Sequence, residues 1–230
     1  MESIWQADAN TIRTTPIIVA VMDRLKSLLN IETLVAKSDI ESELNDIAKI
    51  LMNEYYISNG THLYRPLEIE FYIYLKDISD DEKRHADEHV YPRTAEAGRI
   101  FFHQSGMDIC FSSKMEDGYF GGILIRALER EDKEYFGGPR ICSYEVLNSA
   151  KGMCVVKECE NDKKLSLEIE ASERIGIKEW TDSKSNWKDE YYNKKYRFVR
   201  KGLTEVTMTL PKFEFRTAEL KFSNKKYKLY

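Results

Sequence analysis

The stretch from Leu67 to Tyr74 constrains the fold most: Leu67, Ile69, Phe71 and Ile73 alternate with Glu68, Glu70, Tyr72 and Tyr74. Side chains two apart share a strand face, so the segment reads as a β-strand with one apolar face and one face of two carboxylates and two phenols. Such a strand needs a core on one side. On the other it needs solvent, or partners for its charges. Further strand-like runs follow at Ile100–His103, Met107–Ser112 and Gly122–Leu128, divided by the turn signals Ser105-Gly106 and Asp117-Gly118. Gly137-Gly138-Pro139 punctuates the middle, Leu165–Ile169 alternates again, and Arg174–Trp180 is apolar enough to pair beside it. From Leu203 onward, Val206, Met208, Leu210, Phe213, Phe215, Leu220 and Phe222 read as two or three antiparallel strands.

Helical spacing is confined to the first sixty residues. Thr15-Pro16 supplies an N-cap and a first-turn proline ahead of Ile17, Ile18, Val21, Met22, Leu25, Leu28 and Leu29. Ser38 and Glu41 form a capping-box pattern before Ile40, Leu44, Ile47, Ile50 and Leu51, a stripe that ends before Asn59-Gly60. The charged segment from Lys76 to His89 has no stripe and reads as loop plus a short helix. Together these elements predict one compact α+β unit, and 230 residues with 42% hydrophobic content can bury a core of that size.

Charge and cysteines narrow the class. No run of about 18 apolar residues occurs, and Asp8, Asn10, Arg13 and Pro16 break the layout of a signal peptide. Cys110, Cys142, Cys154 and Cys159 form no C-x-x-C pair, so reduced thiols in a cytoplasmic protein are expected, without disulfides, metal or cofactor. The net charge of −4 hides an asymmetry: thirteen Lys and Arg against six Asp and Glu from Thr181 onward give +7 there and −11 before it. A basic C-terminal face for nucleic acid, or a solvated lysine-rich surface, fits that distribution.

Several motifs in order resemble one family. Glu68-Ile69-Glu70-Phe71-Tyr72 resembles the E-x-E-x-Y active-site strand of the alkyladenine (methylpurine) DNA glycosylases. Gly98-Arg99-Ile100-Phe101-Phe102, then Ser105-Gly106-Met107-Asp108-Ile109-Cys110-Phe111, resemble its R-x-x-M-F and Y-G-M-x-x-C stretches. Leu124-Ile125-Arg126-Ala127-Leu128-Glu129 is similar to its L-L-R-A-L-E strand, and Gly138-Pro139-Arg140-Ile141 to its G-P-x-K-L. Glu173-Arg174-Ile175-Gly176-Ile177 resembles P-R-x-G-I, with Trp180 or Trp187 after it, and Arg197-Phe198-Val199-Arg200-Lys201-Gly202 resembles the closing R-F-x-V-R-G.

The resemblance implies a methylpurine-glycosylase-like fold: a single α+β domain with a curved, mostly antiparallel sheet and flanking helices. It spans 63–202, leaving 1–62 as an N-terminal helical extension packed on the core and 203–230 as a C-terminal β extension. The implied activity is monofunctional base excision, in which Glu70 activates water and Arg126 helps hold it while keeping Glu70 ionised. Tyr72 and Phe102 would sandwich an extruded alkylated purine, with His85, or His89, as the pocket histidine and Ser112 where the family has an asparagine that discriminates bases. Without the family, Glu70 and Arg126 read as a buried ion pair and Phe102 as core packing.

Ser105 stands where the family has a tyrosine wedge and is too small to fill a vacated base site, so His103 or Gln104 would substitute. His103, Ser105, Arg140, Lys194, Lys195 and Arg197 are the expected DNA contacts, and the expected partner is DNA with a damaged purine, duplex or single-stranded, with no membrane. Other classes stay open: a glycosylase-fold protein that binds a nucleotide, single strand or protein partner without hydrolysis, or one that hydrolyses a free nucleoside. His85, Glu88 and His89 also match H-x-x-E-H, a zinc-peptidase pattern, with Glu158 or Glu160 as a third ligand.

Overall fold

The computed structural model describes residues 24–35, 37, 39–76, 85–87, 89–177, 181–182, 187–188 and 191–201. The strands expected after Leu203, the start of the first helix, Ser38, Glu88 and Trp180 lie outside them.

The strand predicted around Glu70 extends to 13 residues, β2 (Leu63–Leu75), and organises the molecule. Upstream lie residues 24–28, which are helical, a single turn α1 (Glu32–Val35), helix α2 (Ile40–Glu54) and strand β1 (Tyr55–Ser58). Downstream come β3 (His85–Ala86), β4 (Ile100–His103), β5 (Gly106–Cys110), β6 (Tyr119–Arg130), β7 (Tyr135–Gly137) and helix α3 (Pro139–Asn148). Among the described residues, strands β8 (Val155–Glu158), β9 (Ile169–Ser172) and β12 (Arg197–Arg200) bring the sheet to ten strands, while β10 (Thr181–Asp182) and β11 (Trp187–Lys188) pair separately.

Every named strand pairing is antiparallel, in the order β4-β5-β6-β2-β1-β8. β6 follows β2 along nearly its whole length, and the opposite edge of β2 is shared by β1, β12 and β3 in turn. A register shift at Pro66–Ile69 bends β2, as expected where proline removes a ladder N–H. The sheet curls around one side of the core, giving a single α+β domain.

The alternation reads out as predicted on the apolar side. Ile69, Phe71 and Ile73 are buried against Leu44, Ile47 and Leu51 of α2, and Phe71 meets Phe198 edge-to-face at 5.5 Å. Asp39 caps α2, its side chain accepting from the Ser42 N–H, and the Ser38 of the expected capping box lies outside the described residues. The helix stops at Glu54, short of Asn59-Gly60, because Tyr55–Ser58 joins the sheet between β2 and β8. Leu165–Leu167 and Arg174–Ile177 are irregular instead of paired, and the strand falls at β9. Among the described residues no helix is long and apolar enough to cross a membrane.

Candidate active site

The second face of β2 is polar and yet buried: Glu68 is 5% and Glu70 0% exposed. Carboxylates removed from water need compensation, and two arginines supply it. Arg126, on β6, donates from Nε to Glu68 Oε1 and from Nη1 to Glu70 Oε2, both at 3.0 Å. Arg197, on β12, donates from Nε to Glu68 Oε1 at 2.7 Å and from Nη1 to Ser172 Oγ at 3.0 Å. Antiparallel pairing of β6 and β12 to the two edges of β2 brings these side chains to one place.

Glu70 has two more partners. The Tyr72 hydroxyl donates to its Oε2 at 2.9 Å, and the Ile175 N–H to its Oε1 at 2.7 Å. Ile175 also accepts, through its carbonyl, from Arg126 Nη1 at 3.2 Å. This clasp is anchored one residue upstream by Arg174, which forms a fully buried ion pair with Asp87, donates to the Tyr191 carbonyl at 2.8 Å and lies 4.7 Å over the Tyr72 ring. Gly176 follows at φ +81°, a left-handed turn that an L side chain adopts only with strain.

The charge of Arg126 was expected to keep Glu70 ionised. Burial outweighs it: loss of water pushes the Glu70 carboxyl up, against the lowering effects of Arg126, the Ile175 N–H and the Tyr72 hydroxyl. Tyr72 is raised too, by its own burial and then by the Glu70 charge.

A cavity of 420 Å³ opens beside this group, lined among others by Tyr72, Arg126, Arg93, His103 and Asp108. Asp108 accepts from Arg93 Nη2 at 2.7 Å and pairs with His103 Nε2 at 3.1 Å. The Ser105 N–H points at His103 Nδ1, 3.3 Å away, so Nδ1 is the acceptor and Nε2 carries the proton toward Asp108. Arg93 is 8% exposed, and its Nε and Nη1 have no hydrogen-bond partner, an uncommon state for a buried guanidinium. Gly122 makes room for it: a Cβ there would sit 2.3 Å from Arg93 Nη2.

The predicted residues divide. Glu70, Arg126 and Tyr72 come together, and His89, His103 and Ser105 join them as cavity-lining residues. Phe102 does not. Alternation on β4 turns Phe102 with Ile100 toward a different hollow, away from Tyr72, and leaves His103 in the cavity. Ser112 is also remote from it: its hydroxyl donates to Asn30 Oδ1 and accepts from the Ile31 N–H, fixing the turn before α1. The His85 backbone pairs with Leu75.

Among the described residues the expected DNA contacts do not form one patch. Arg197 is 3% exposed and bound to Glu68, so it cannot reach a phosphate; Lys194 is paired with Glu41 of α2 at 2.9 Å, and Lys195 is exposed. Arg140 is exposed near the cavity rim, donating to the Gln104 carbonyl at 3.1 Å. Of the zinc-peptidase pattern, His85–Ala86 is strand rather than a helical turn and Glu88 lies outside the described residues, among which no three His, Cys, Asp or Glu converge as metal ligands.

Arg93, Asp108, Arg174 and Ile175 are site residues that the pattern reading misses. A lone aspartate inside the apolar run Gly106–Cys110 is the signal available for one of them, since such a residue demands a cationic partner. No family model matches this chain, and no curated protein matches it.

Proposed function

We propose that the protein hydrolyses N-glycosidic bonds of damaged purines, in the manner of the alkyladenine DNA glycosylases, with Glu70 as the base that activates water. The supporting observation is the meeting of Glu70 and Arg126, 56 residues apart in sequence, at 3.0 Å beside a cavity of ligand size that Tyr72 also lines. A carboxylate whose proton affinity is raised by burial is a stronger base, while the adjacent guanidinium favours the ionised form that accepts the proton.

Water reaches Glu70 when the Ile175 N–H leaves Oε1, so the turn at Ile175–Gly176 moves during turnover. The purine stacks on Tyr72 in that cavity. Ser105 offers no wedge and Arg197 no phosphate contact, which favours a base presented by a single strand or a nucleoside over one drawn from an intact duplex. Four free cysteines accord with work in a reducing cytoplasm.

One observation favours a second reading, a base-binding protein that does not hydrolyse: Glu70 is 0% exposed. Incubation with alkylated single-stranded and duplex DNA and with alkylated nucleosides separates the two. Free base released by wild type and not by Glu70→Gln supports the hydrolase. Saturable base binding with no release by either protein supports the second reading.

A further inference from the structure

Three rings meet at the edge of the candidate site. His103 lines the cavity and is fixed there by Asp108 and by the Ser105 N–H. Tyr91, also a lining residue, has its ring 5.3 Å from that of His103. Phe101 lies two residues before His103 on β4, hence on the same strand face, and stacks on it at 5.8 Å with 23° between the planes. The Arg93 guanidinium, 4.8 Å from the Phe101 ring, adds a cation–π contact that holds the phenyl in place. The His103 side chain is largely covered, whereas Tyr91 is 53% and Phe101 38% exposed.

A single exposed apolar side chain is ordinary on a protein surface, but two aromatics pinned through a shared third ring at the mouth of a cavity form a built surface. Rings already held in place lose little freedom on binding, so they suit the flat face of another ring. Phosphate can be met close by: Arg140 is exposed in a hollow of 300 Å³ that shares Ser105 and Pro139 with the cavity. We propose that Tyr91 and Phe101 are a stacking platform for the base next to the one held in the cavity, so that the substrate class is single-stranded nucleic acid rather than a free nucleoside. This inference rests on the reading of the cavity as a base pocket. Every base has a π face, so the platform accepts any neighbour. A neighbour paired in a duplex is held in its own stack, whereas one in a single strand is free to leave it.

The test uses the full chain and two labelled single-stranded oligothymidylates, each with one central 7-methylguanine. In the second probe the nucleotides on both sides of the lesion are abasic. Binding is read by fluorescence anisotropy in the Glu70→Gln background, where the probe stays intact even if wild type hydrolyses it. Phe101→Leu keeps an apolar cover on Arg93 but no ring, and is expected to bind the base-flanked probe roughly five- to a hundredfold more weakly; Tyr91→Leu is expected to do likewise, and Phe101→Trp to keep the parent affinity. The abasic-flanked probe should bind the parent more weakly by a similar factor and respond little to either leucine variant. Equal effects of either variant on the two probes, which mark a structural role or none, overturn the proposal, as does absence of saturable binding of the base-flanked probe. Base release by the Glu70-containing protein is scored separately, so a failure of hydrolysis with the platform intact is distinguishable from a failure of the platform.

Discussion

Glu68 and Glu70 lie two residues apart on one strand face, both buried, and their surroundings differ in kind. Glu68 is gripped by two guanidiniums, Arg126 at 3.0 Å and Arg197 at 2.7 Å. Glu70 shares one of these, Arg126, and its other two donors are neutral, the Tyr72 hydroxyl and the Ile175 N–H. The carboxylate held between two cations acts as a clamp that ties β2, β6 and β12 together. Its neighbour has less compensation than burial requires, and so has a proton affinity that chemistry can use.

The comparison is sharpened most by removing the clamp. Glu68→Ala strands Arg197, whose Nη2 already lacks a partner, together with the Nε of Arg126, and should lower stability by about 3–5 kcal/mol in urea unfolding. A loss below about 1 kcal/mol, the range of exposed pairs, would break the distinction between the two sites. Gly122→Ala comes next. The added methyl drives Arg93 and Asp108 out of place at the cavity wall, at a cost of about 1–3 kcal/mol, seen as a lower thermal midpoint and weaker base binding.

Smaller effects concern protons and salt. Tyr72→Phe keeps the ring but removes a donor that lowers the Glu70 carboxyl, so the acid limb of base release should move to still higher pH. For stability the sign is the reverse of a paired surface carboxylate. Because the folded form holds the Glu70 proton more tightly than the unfolded chain, its contribution is full below the unfolded value and is lost as pH rises through the folded one. Glu70→Gln should therefore be at least as stable as wild type near neutrality, with wild type gaining on acidification. Neutralising Lys194 and Lys195 should change single-strand affinity by only a few-fold, with a small loss of salt dependence, since Lys194 is already paired with Glu41.

Much of this arrangement was legible in the residues. The alternation in Leu67–Tyr74 defines β2, and the glycine-marked turns at Ser105-Gly106 and Asp117-Gly118 fall between the strands they separate. Glu70 and Arg126 meet because both lie on long strands whose antiparallel pairing leaves little freedom. Phe102 misleads because motif position carries no information about the face of a short strand, although alternation alone sets it opposite His103. Charge counting fails for Arg197 because a basic residue on a strand beside a buried glutamate is drawn inward. Helix α3 carries a proline at its first position but a weak stripe, with Ser143 and Glu145 buried among its apolar residues, and β1 continues the apolar spacing of α2 without a breaker.

The most direct test is the pH dependence of purine release from an alkylated single-stranded oligonucleotide under single-turnover conditions. If Glu70 is the base, release by wild type falls on acidification with a midpoint above the ordinary glutamate range, and Glu70→Gln releases base about 10²–10⁴-fold more slowly with no such limb. Release by Glu70→Gln at the wild-type rate, with the same pH profile, would contradict it.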